Sequence, residues 1–120
     1  MPLEWTFESD HMATINVSGQ LGKNEFDQIQ ADLEPIIHKV GYIKILVLLK
    51  NFTGWESAEG WEDTSFSDRN DPYIKKLAIV GDEKWRDLTT VFTLKGLRPV
   101  PIEYFESNDE EKARQWLNKE

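Results

Sequence analysis

Residues 42–49, YIKILVLL, include the longest apolar run of the chain and decide its fold class. Ile45 to Leu49 are five consecutive apolar residues, a pattern typical of a central strand that is covered on both faces. Strands of this kind are usually parallel and joined by helices. A second buried strand is predicted from Ile74 to Val80, before Gly81. The two segments therefore predict the centre of a mostly parallel α/β sheet.

The residues before this strand predict a hairpin and then a helix. Strands are expected at 3–8 and 12–18, where apolar and polar side chains alternate around a polar turn. Helical periodicity begins at Asn24, which we expect to be the N-cap, and ends near Gly41. Pro35 lies inside this helix, where it removes a backbone hydrogen bond, and predicts a kink or a break into two pieces.

The residues after the central strand predict further helices and one more strand. Helices are expected at about 58–69, from Asp82 to Gly96, and after a capping box formed by Ser107 and Glu110. A strand at 100–105 is expected at the edge of the sheet, because Pro101 lacks a backbone donor. The predicted order is β-β-α-β-α-β-α-β-α. It indicates a mixed, mostly parallel sheet with about four helices, opened by a β-hairpin.

Composition favours one domain and excludes several classes of protein. The chain has 120 residues, 39% of them hydrophobic, so we expect a single domain over residues 1–120. It has no cysteine, which excludes disulfides and thiolate metal sites. Its net charge of −8 argues against nucleic acid as a partner. We expect a cytoplasmic protein with no transmembrane segment, because no apolar run approaches the length of about 20 residues that crosses a bilayer.

Several motifs resemble one known family across nearly the whole chain. They include LEPII in the first helix, ILVLLKNF followed by TGW and GWED, and above all LAIVGDEKW at residues 77–85. In these motifs the sequence is similar to the SpoIIAA-like proteins, small bacterial relatives of the STAS fold. The resemblance implies a STAS-like α/β fold, related to CRAL-TRIO lipid-transfer domains, and a role in binding lipid-like molecules.

The stretch at residues 51–63, NFTGWESAEGWED, contains four carboxylates and no basic residue. Glu56, Glu59, Glu62 and Asp63 permit a carboxylate-dependent hydrolase, since glycosidases use paired carboxylates. The simpler interpretation is a solvated face, so we do not expect an enzyme and predict no catalytic residue. No metal site or cofactor is expected either, because the two histidines have no ligand spacing and the chain has no phosphate-binding glycine loop.

Ser57, within the same stretch, has two interpretations. STAS proteins that antagonise anti-sigma factors carry a phosphorylatable serine after the central strand, and the resemblance makes Ser57 the corresponding residue. This sequence lacks the second serine of that motif and has Glu59 nearby. The simpler alternative is that Ser57 is a helix N-cap.

Aromatic residues predict an apolar binding site at the carboxyl ends of the central strands. Ligands of parallel α/β sheets gather at that edge, and the loops after the two buried strands are rich in rings. The predicted ligand-binding residues are Phe52, Trp55, Trp61, Trp85, Leu88 and Phe92. Core packing is the alternative for several of these rings. We therefore predict a non-enzymatic module that binds a lipid-like or other hydrophobic small molecule. The alternative is a regulatory module that binds a protein partner or forms a homodimer, with or without a phospho-switch at Ser57.

Overall fold

A computed structural model describes residues 3–8, 11–57, 61 and 63–119. Within them the chain forms a five-stranded sheet with four α-helices, in the predicted order. The strands are β1 (Leu3–Glu8), β2 (Met12–Leu21), β3 (Ile43–Trp55), β4 (Ile74–Gly81) and β5 (Ile102–Glu106). The helices are α1 (Lys23–Val40), α2 (Ser65–Asn70), α3 (Arg86–Phe92) and α4 (Glu110–Asn118). Single 3₁₀ turns at Asp71–Tyr73, Glu83–Trp85 and Ser107–Asp109 precede β4, α3 and α4.

The sheet follows the order of the strands in the chain, β1-β2-β3-β4-β5. β1 and β2 pair antiparallel, whereas β2, β3, β4 and β5 pair parallel to their neighbours. The mixed, mostly parallel sheet opened by a hairpin is therefore confirmed. β3 is the central strand and β5 an edge strand, as the apolar run and Pro101 predicted. The turn predicted at residues 9 and 10 lies outside the described residues.

The two faces of the sheet have separate cores. On one face, α4 buries Ala113 and Leu117 against Leu46, Ala78 and other residues of β3 and β4. The opposite face carries the larger core, to which α1 contributes residues such as Leu33. Alternation along β3 and β4 produces this division, because successive side chains of a strand point to opposite faces.

Helix α1 differs from the prediction at its start but not at its end. It is one continuous helix with Pro35 inside it, so the predicted break is wrong. Its N-cap is Gly22 rather than Asn24. Its end at Gly41 is confirmed, with a φ of 92° that favours glycine.

The helices after β3 are shorter than their patterns predicted. α2 begins at Ser65, and the described residues Trp61, Asp63 and Thr64 are not helical, while 58–60 and 62 lie outside the described residues. α3 ends at Phe92 instead of Gly96. No helix within the described residues has the length and apolar character of a membrane span.

Candidate functional site

A large apolar cavity lies on the sheet face opposite α4. Its volume is about 560 Å³. Its floor is formed by side chains of the sheet, among them Ile15, Val47, Leu49 and Ile79. Its walls come from α1, from the segment that links β3 to α2, and from α3 with the residues after it. The volume lies within the range of about 300–1,000 Å³ typical of small-molecule sites.

Two irregularities in β3 bring aromatic rings to this cavity. Opposite β2, Val17 pairs with Leu49 but Gly19 pairs with Phe52, so β3 contains an extra residue in that interval. A second extra residue lies between Phe52 and Gly54. Each β-bulge reverses the alternation of side chains. Leu49, Phe52 and Trp55 consequently all line the cavity, although regular pairing would place Phe52 on the opposite face.

Gly54 allows the end of β3 to pass close to the indole of Trp85. Its φ is 112°, a backbone conformation that side-chain-bearing residues rarely adopt. A Cβ at this position would lie 3.5 Å from Cη2 of Trp85. The glycine thus helps to fit Trp85 against the strand that carries Phe52 and Trp55.

The predicted rings form one cluster at the carboxyl edge of the sheet. Ring centroids of Phe52 and Trp85 are 4.9 Å apart, those of Phe52 and Trp55 are 5.1 Å apart, and Trp55 lies 5.2 Å from Phe92. Tilted and edge-to-face contacts of this kind stabilise aromatic clusters by about 0.5–1.5 kcal/mol per pair. The two aromatic segments therefore meet, as the sequence predicted.

Phe26 completes the cluster from α1 and was absent from the predicted site. Its ring centroid lies 5.5 Å from that of Trp61 and 5.5 Å from that of Phe92. Trp61 is fixed further, because its Nε1 donates a hydrogen bond of 3.0 Å to the Glu56 carbonyl. Phe26, Trp61 and Phe92 all line the cavity.

The structure separates two of the predicted ligand-binding residues from the cavity wall. Trp85 packs behind Phe52 and Trp55 and is not a lining residue. Leu88 is 56% exposed and does not line the cavity. Val91 lines the cavity yet is 72% exposed, which places it at the mouth.

Two residues of the cavity wall contain a buried polar atom that has no partner among the described residues. Trp55 Nε1 and Thr89 Oγ1 are buried, and neither has a hydrogen-bond partner within the described residues. Both residues line the cavity, whereas Trp85 Nε1, the third such atom, lies behind it. Leaving a buried polar group unpaired costs about 1–3 kcal/mol, so such groups call for an explanation.

A buried ion pair lies at the other end of the cavity, near the start of β4. The guanidinium of Arg98 donates through Nη2 to Asp71 Oδ1 at 2.7 Å and through Nε to Oδ2 at 3.0 Å. Its Nη1 donates to the Thr93 carbonyl at 3.2 Å. Only 15% and 9% of the Arg98 and Asp71 side chains are exposed. Arg98 lines the cavity, but its charge is neutralised by Asp71.

A polar clasp joins α1 to α2 beside the cavity. Arg69 donates two hydrogen bonds to the Glu34 carboxylate, at 2.8 and 3.2 Å, and Asn70 Nδ2 donates a third at 2.8 Å. These bonds, led by those from Arg69, lower the pKa of Glu34 to about 2. The fully buried Asn70 side chain also contacts His38 Nε2 at 3.0 Å. The clasp holds the wall segment that contains Phe66.

The carboxylates of the acidic stretch have structural partners. Glu56 Oε1 accepts a 2.7 Å hydrogen bond from the backbone N–H of Lys23, at the start of α1. Asp63 accepts one of 2.9 Å from the Ser65 backbone, which lowers the pKa of Asp63. A carboxyl group with a lowered pKa is unsuited to act as a general acid near neutral pH. Glu59 and Glu62 lie outside the described residues.

Ser57 lies in an exposed bend directly after Glu56. A helix capped by Ser57 would begin at residues 58–60, which lie outside the described residues. The next described helix begins at Ser65. No cluster of three or more metal-ligating side chains occurs in the part of the chain that the structure describes.

Comparison with known proteins places this geometry in a family. The chain resembles the solved structure of an uncharacterized protein with a SpoIIAA-like fold from Shewanella loihica, with a TM-score of 0.71, 19% identity and coverage of 96% of this chain and 91% of that one. It also resembles the Bacillus cell fate determinant SpoIIAA in its phosphorylated form, with a TM-score of 0.58, 14% identity and coverage of 95% and 98%. At these identities the likeness shows the fold alone.

No curated protein matches the sequence. The family model described as SpoIIAA-like, however, matches residues 12–118, which is most of the chain. On that match, supported by the shared fold, the chain belongs to the SpoIIAA-like family.

Proposed function

We propose that this protein is a non-enzymatic binding module that holds a lipid-like or other hydrophobic small molecule in the cavity between the sheet and helices α1 and α3. The observation that carries the proposal is the cavity itself, with its volume of about 560 Å³ and its largely aliphatic and aromatic lining. Few polar groups reach it, as is usual for sites that bind apolar ligands.

The energetics of the cavity also favour an occupant. The space opens to solvent at a mouth formed by Val91, so water can enter it. Water is held poorly between apolar walls, because each ordered water needs about 2–4 polar partners. A ligand that covers these walls would contribute about 25 cal/mol for each Å² of apolar surface removed from water.

Native mass spectrometry of protein purified from cells, followed by organic extraction, tests the proposal. We expect a bound apolar species that is released on denaturation. Protein stripped by unfolding and refolding should bind the neutral apolar dye Nile red with saturation near one dye per chain. The absence of both the co-purified species and saturable dye binding would refute the proposal.

A regulatory protein-interaction module is the second candidate function. Four apolar side chains on α3 and in the segment after it are exposed: Leu88, Val91, Leu94 and Leu97. Leu97 is 83% exposed, and neighbouring exposed apolar residues of this kind are typical of interaction surfaces. SpoIIAA, with which this chain shares its fold, is a cell fate determinant solved in a phosphorylated form.

Sedimentation velocity of the wild type and of Val91→Ser/Leu97→Ser tests this candidate in its homodimeric form. We expect a concentration-dependent dimer that the double substitution dissociates. A monomer at all concentrations for both proteins would count against it. The phospho-switch version predicts a kinase-dependent mass shift at the exposed Ser57, absent from Ser57→Ala.

A further inference from the structure

The two edges of the sheet differ in how their unpaired backbone groups are protected. At the β5 edge, the Pro101 carbonyl accepts a hydrogen bond from Leu77 of β4, so by alternation the Tyr104 carbonyl faces outwards. Nη1 of Arg86 donates a 3.2 Å hydrogen bond to that outward carbonyl. A charged side chain that occupies an edge in this way hinders another strand from pairing there.

The β1 edge has no such protection among the described residues. β1 pairs with β2 over all six of its residues without a bulge, and no described strand pairs with its outer side. Its sequence, LEWTFE, contains no proline, lysine or arginine, the residues that commonly block an edge. The Glu8 carboxylate is held by Thr14 at 2.6 Å and by Arg114 at 3.3 Å. A regular, unblocked edge strand is a template for pairing with another strand.

β1 has an apolar face and a polar face. Leu3, Trp5 and Phe7 lie opposite β2 residues of the larger core, and opposite residues of paired strands share a face. Leu3 and Trp5 are half-buried, whereas Phe7 is 40% exposed. Glu4 and Thr6, which alternate with them, are both exposed. A strand added beyond β1 would therefore need an apolar row on the same face to cover Phe7.

A second copy of this chain supplies such a strand, and charge selects one register for it. A twofold axis perpendicular to the sheet pairs two β1 strands antiparallel and keeps equivalent faces together only if it passes through a residue position. An axis at Glu4 places the two Glu4 side chains opposite each other, and an axis at Thr6 places Glu4 opposite Glu8 twice. Like charges directly opposite destabilise a sheet. An axis at Trp5 avoids both clashes, and axes nearer the ends of β1 pair fewer residues.

We propose that the outer edge of β1 is a homodimer interface, in which two copies pair antiparallel about Trp5 and join their five-stranded sheets into one. In this register Leu3 of each copy lies opposite Phe7 of the other, so the apolar row continues across the interface. Glu4 of each copy lies opposite Thr6 of the other. A single pair of edge strands makes a small interface, so the dimer should dissociate on dilution.

Sedimentation velocity of Thr6→Glu and Thr6→Lys over a wide concentration range tests both the surface and the register. Thr6 is exposed, so the fold should tolerate either side chain. Glutamate would lie opposite Glu4 of the other copy at two equivalent places and should weaken dimerisation about fivefold, whereas lysine should strengthen it about fivefold. Equal effects of the two substitutions would overturn the proposed pairing.

Glu4→Lys/Thr6→Glu is the matched control. It restores two opposite-charge pairs in the proposed register, although it contains the substitution that weakens the dimer alone. We expect it to dimerise at least as tightly as the wild type. A double variant as weak as Thr6→Glu would show that residues 4 and 6 are not opposite each other and would overturn the register.

Val91→Ser/Leu97→Ser distinguishes this interface from the exposed apolar surface of α3. A dimer formed through β1 persists in that double variant. A dimer that dissociates in it and responds to neither Thr6 substitution would overturn the inference, as would a wild type that is monomeric at all concentrations. Nile red binding reports the proposed ligand site separately and should be unchanged in the Thr6 variants. Its absence from every protein would refute the proposed function and leave the dimer interface standing.

Discussion

A larger side chain on the cavity floor should stabilise the protein and weaken ligand binding. Val47 lies in the middle of β3 and lines the cavity. Val47→Phe adds four carbon atoms, which at about 0.8 kcal/mol per buried carbon sets an upper limit near 3 kcal/mol. Ordering the new ring offsets part of this gain, and cavity-filling substitutions usually contribute about 0.5–2 kcal/mol. We expect about 1 kcal/mol, or a rise in Tm of about 4 °C.

Ala78→Ile is the control on the other face of the sheet. Ala78 lies in β4, is fully buried beneath α4 and lines neither described cavity. Three added carbon atoms should therefore overpack this core and lower the free energy of unfolding by about 1–3 kcal/mol. Both substitutions enlarge a side chain of the sheet, and the space above that side chain differs.

Urea and thermal unfolding of stripped protein measure both variants. Stripping is needed because a bound ligand adds stability to the wild type in proportion to its affinity and concentration. Val47→Phe should also weaken Nile red binding, whereas a correctly folded Ala78→Ile should leave it unchanged. Equal destabilisation by the two substitutions would show that the space above Val47 is not available to an added ring. That outcome would refute the cavity as a ligand site.

Two further predictions concern the ion pairs that frame the cavity. Arg98→Met should lower the free energy of unfolding in urea by about 3 kcal/mol, because it leaves the buried Asp71 carboxylate unpaired. Lys95→Met removes an exposed pair and should lower it by less than about 0.5 kcal/mol. Equal effects would contradict the buried pair. Hydrogen bonds from Arg69 lower the pKa of Glu34 in the folded protein to about 2, from 4.5 in the unfolded chain. The stability that ionised Glu34 contributes is therefore complete above pH 4.5 and is lost as the pH falls towards about 2. Glu34→Gln should therefore flatten the acid limb of stability against pH below 4.5, and an unchanged limb would count against the clasp.

The sheet could be predicted from sequence because its strands carry strong local patterns. Five apolar residues in succession at Ile45 to Leu49 fit only a strand or helix buried on all sides, and the short length favoured the strand. Pro101 prevents a central position for the last strand whatever the tertiary context. These signals depend on the backbone and on periodicity, so they persist in the folded protein.

Helix starts were harder to predict because distant partners replaced the local caps. Asn24 had the composition of an N-cap, but the Lys23 N–H at the start of α1 bonds to Glu56, which lies 33 residues away. Ser107 had the spacing of a capping box, yet its hydroxyl donates to Asp82 at 2.8 Å. Sequence spacing contains no information about such long-range partners.

The predicted rings meet in the structure, whereas the extent of the cavity that they line could not be predicted. Phe52 and Trp55 were identifiable as rings after the central strand, but the bulges that turn both towards the cavity depend on pairing with β2. Asn51, with a φ of 56°, and Gly54 were the available signals, since both residue types mark irregular strands. Arg98 gave no signal, because its partner Asp71 is 27 residues distant.

The two candidate functions share residues and would therefore be coupled in one molecule. Val91 and Leu94 both line the cavity and belong to the exposed apolar surface of α3 and the segment after it. A protein that covers this surface also covers the mouth of the cavity, so a ligand that changes the position of α3 changes the surface presented to the protein. Linkage requires the effect to be reciprocal: the factor by which ligand alters partner affinity equals the factor by which partner alters ligand affinity. A small-molecule site placed under an interaction surface is thus sufficient, without any catalytic residue, to make binding of one partner depend on the other.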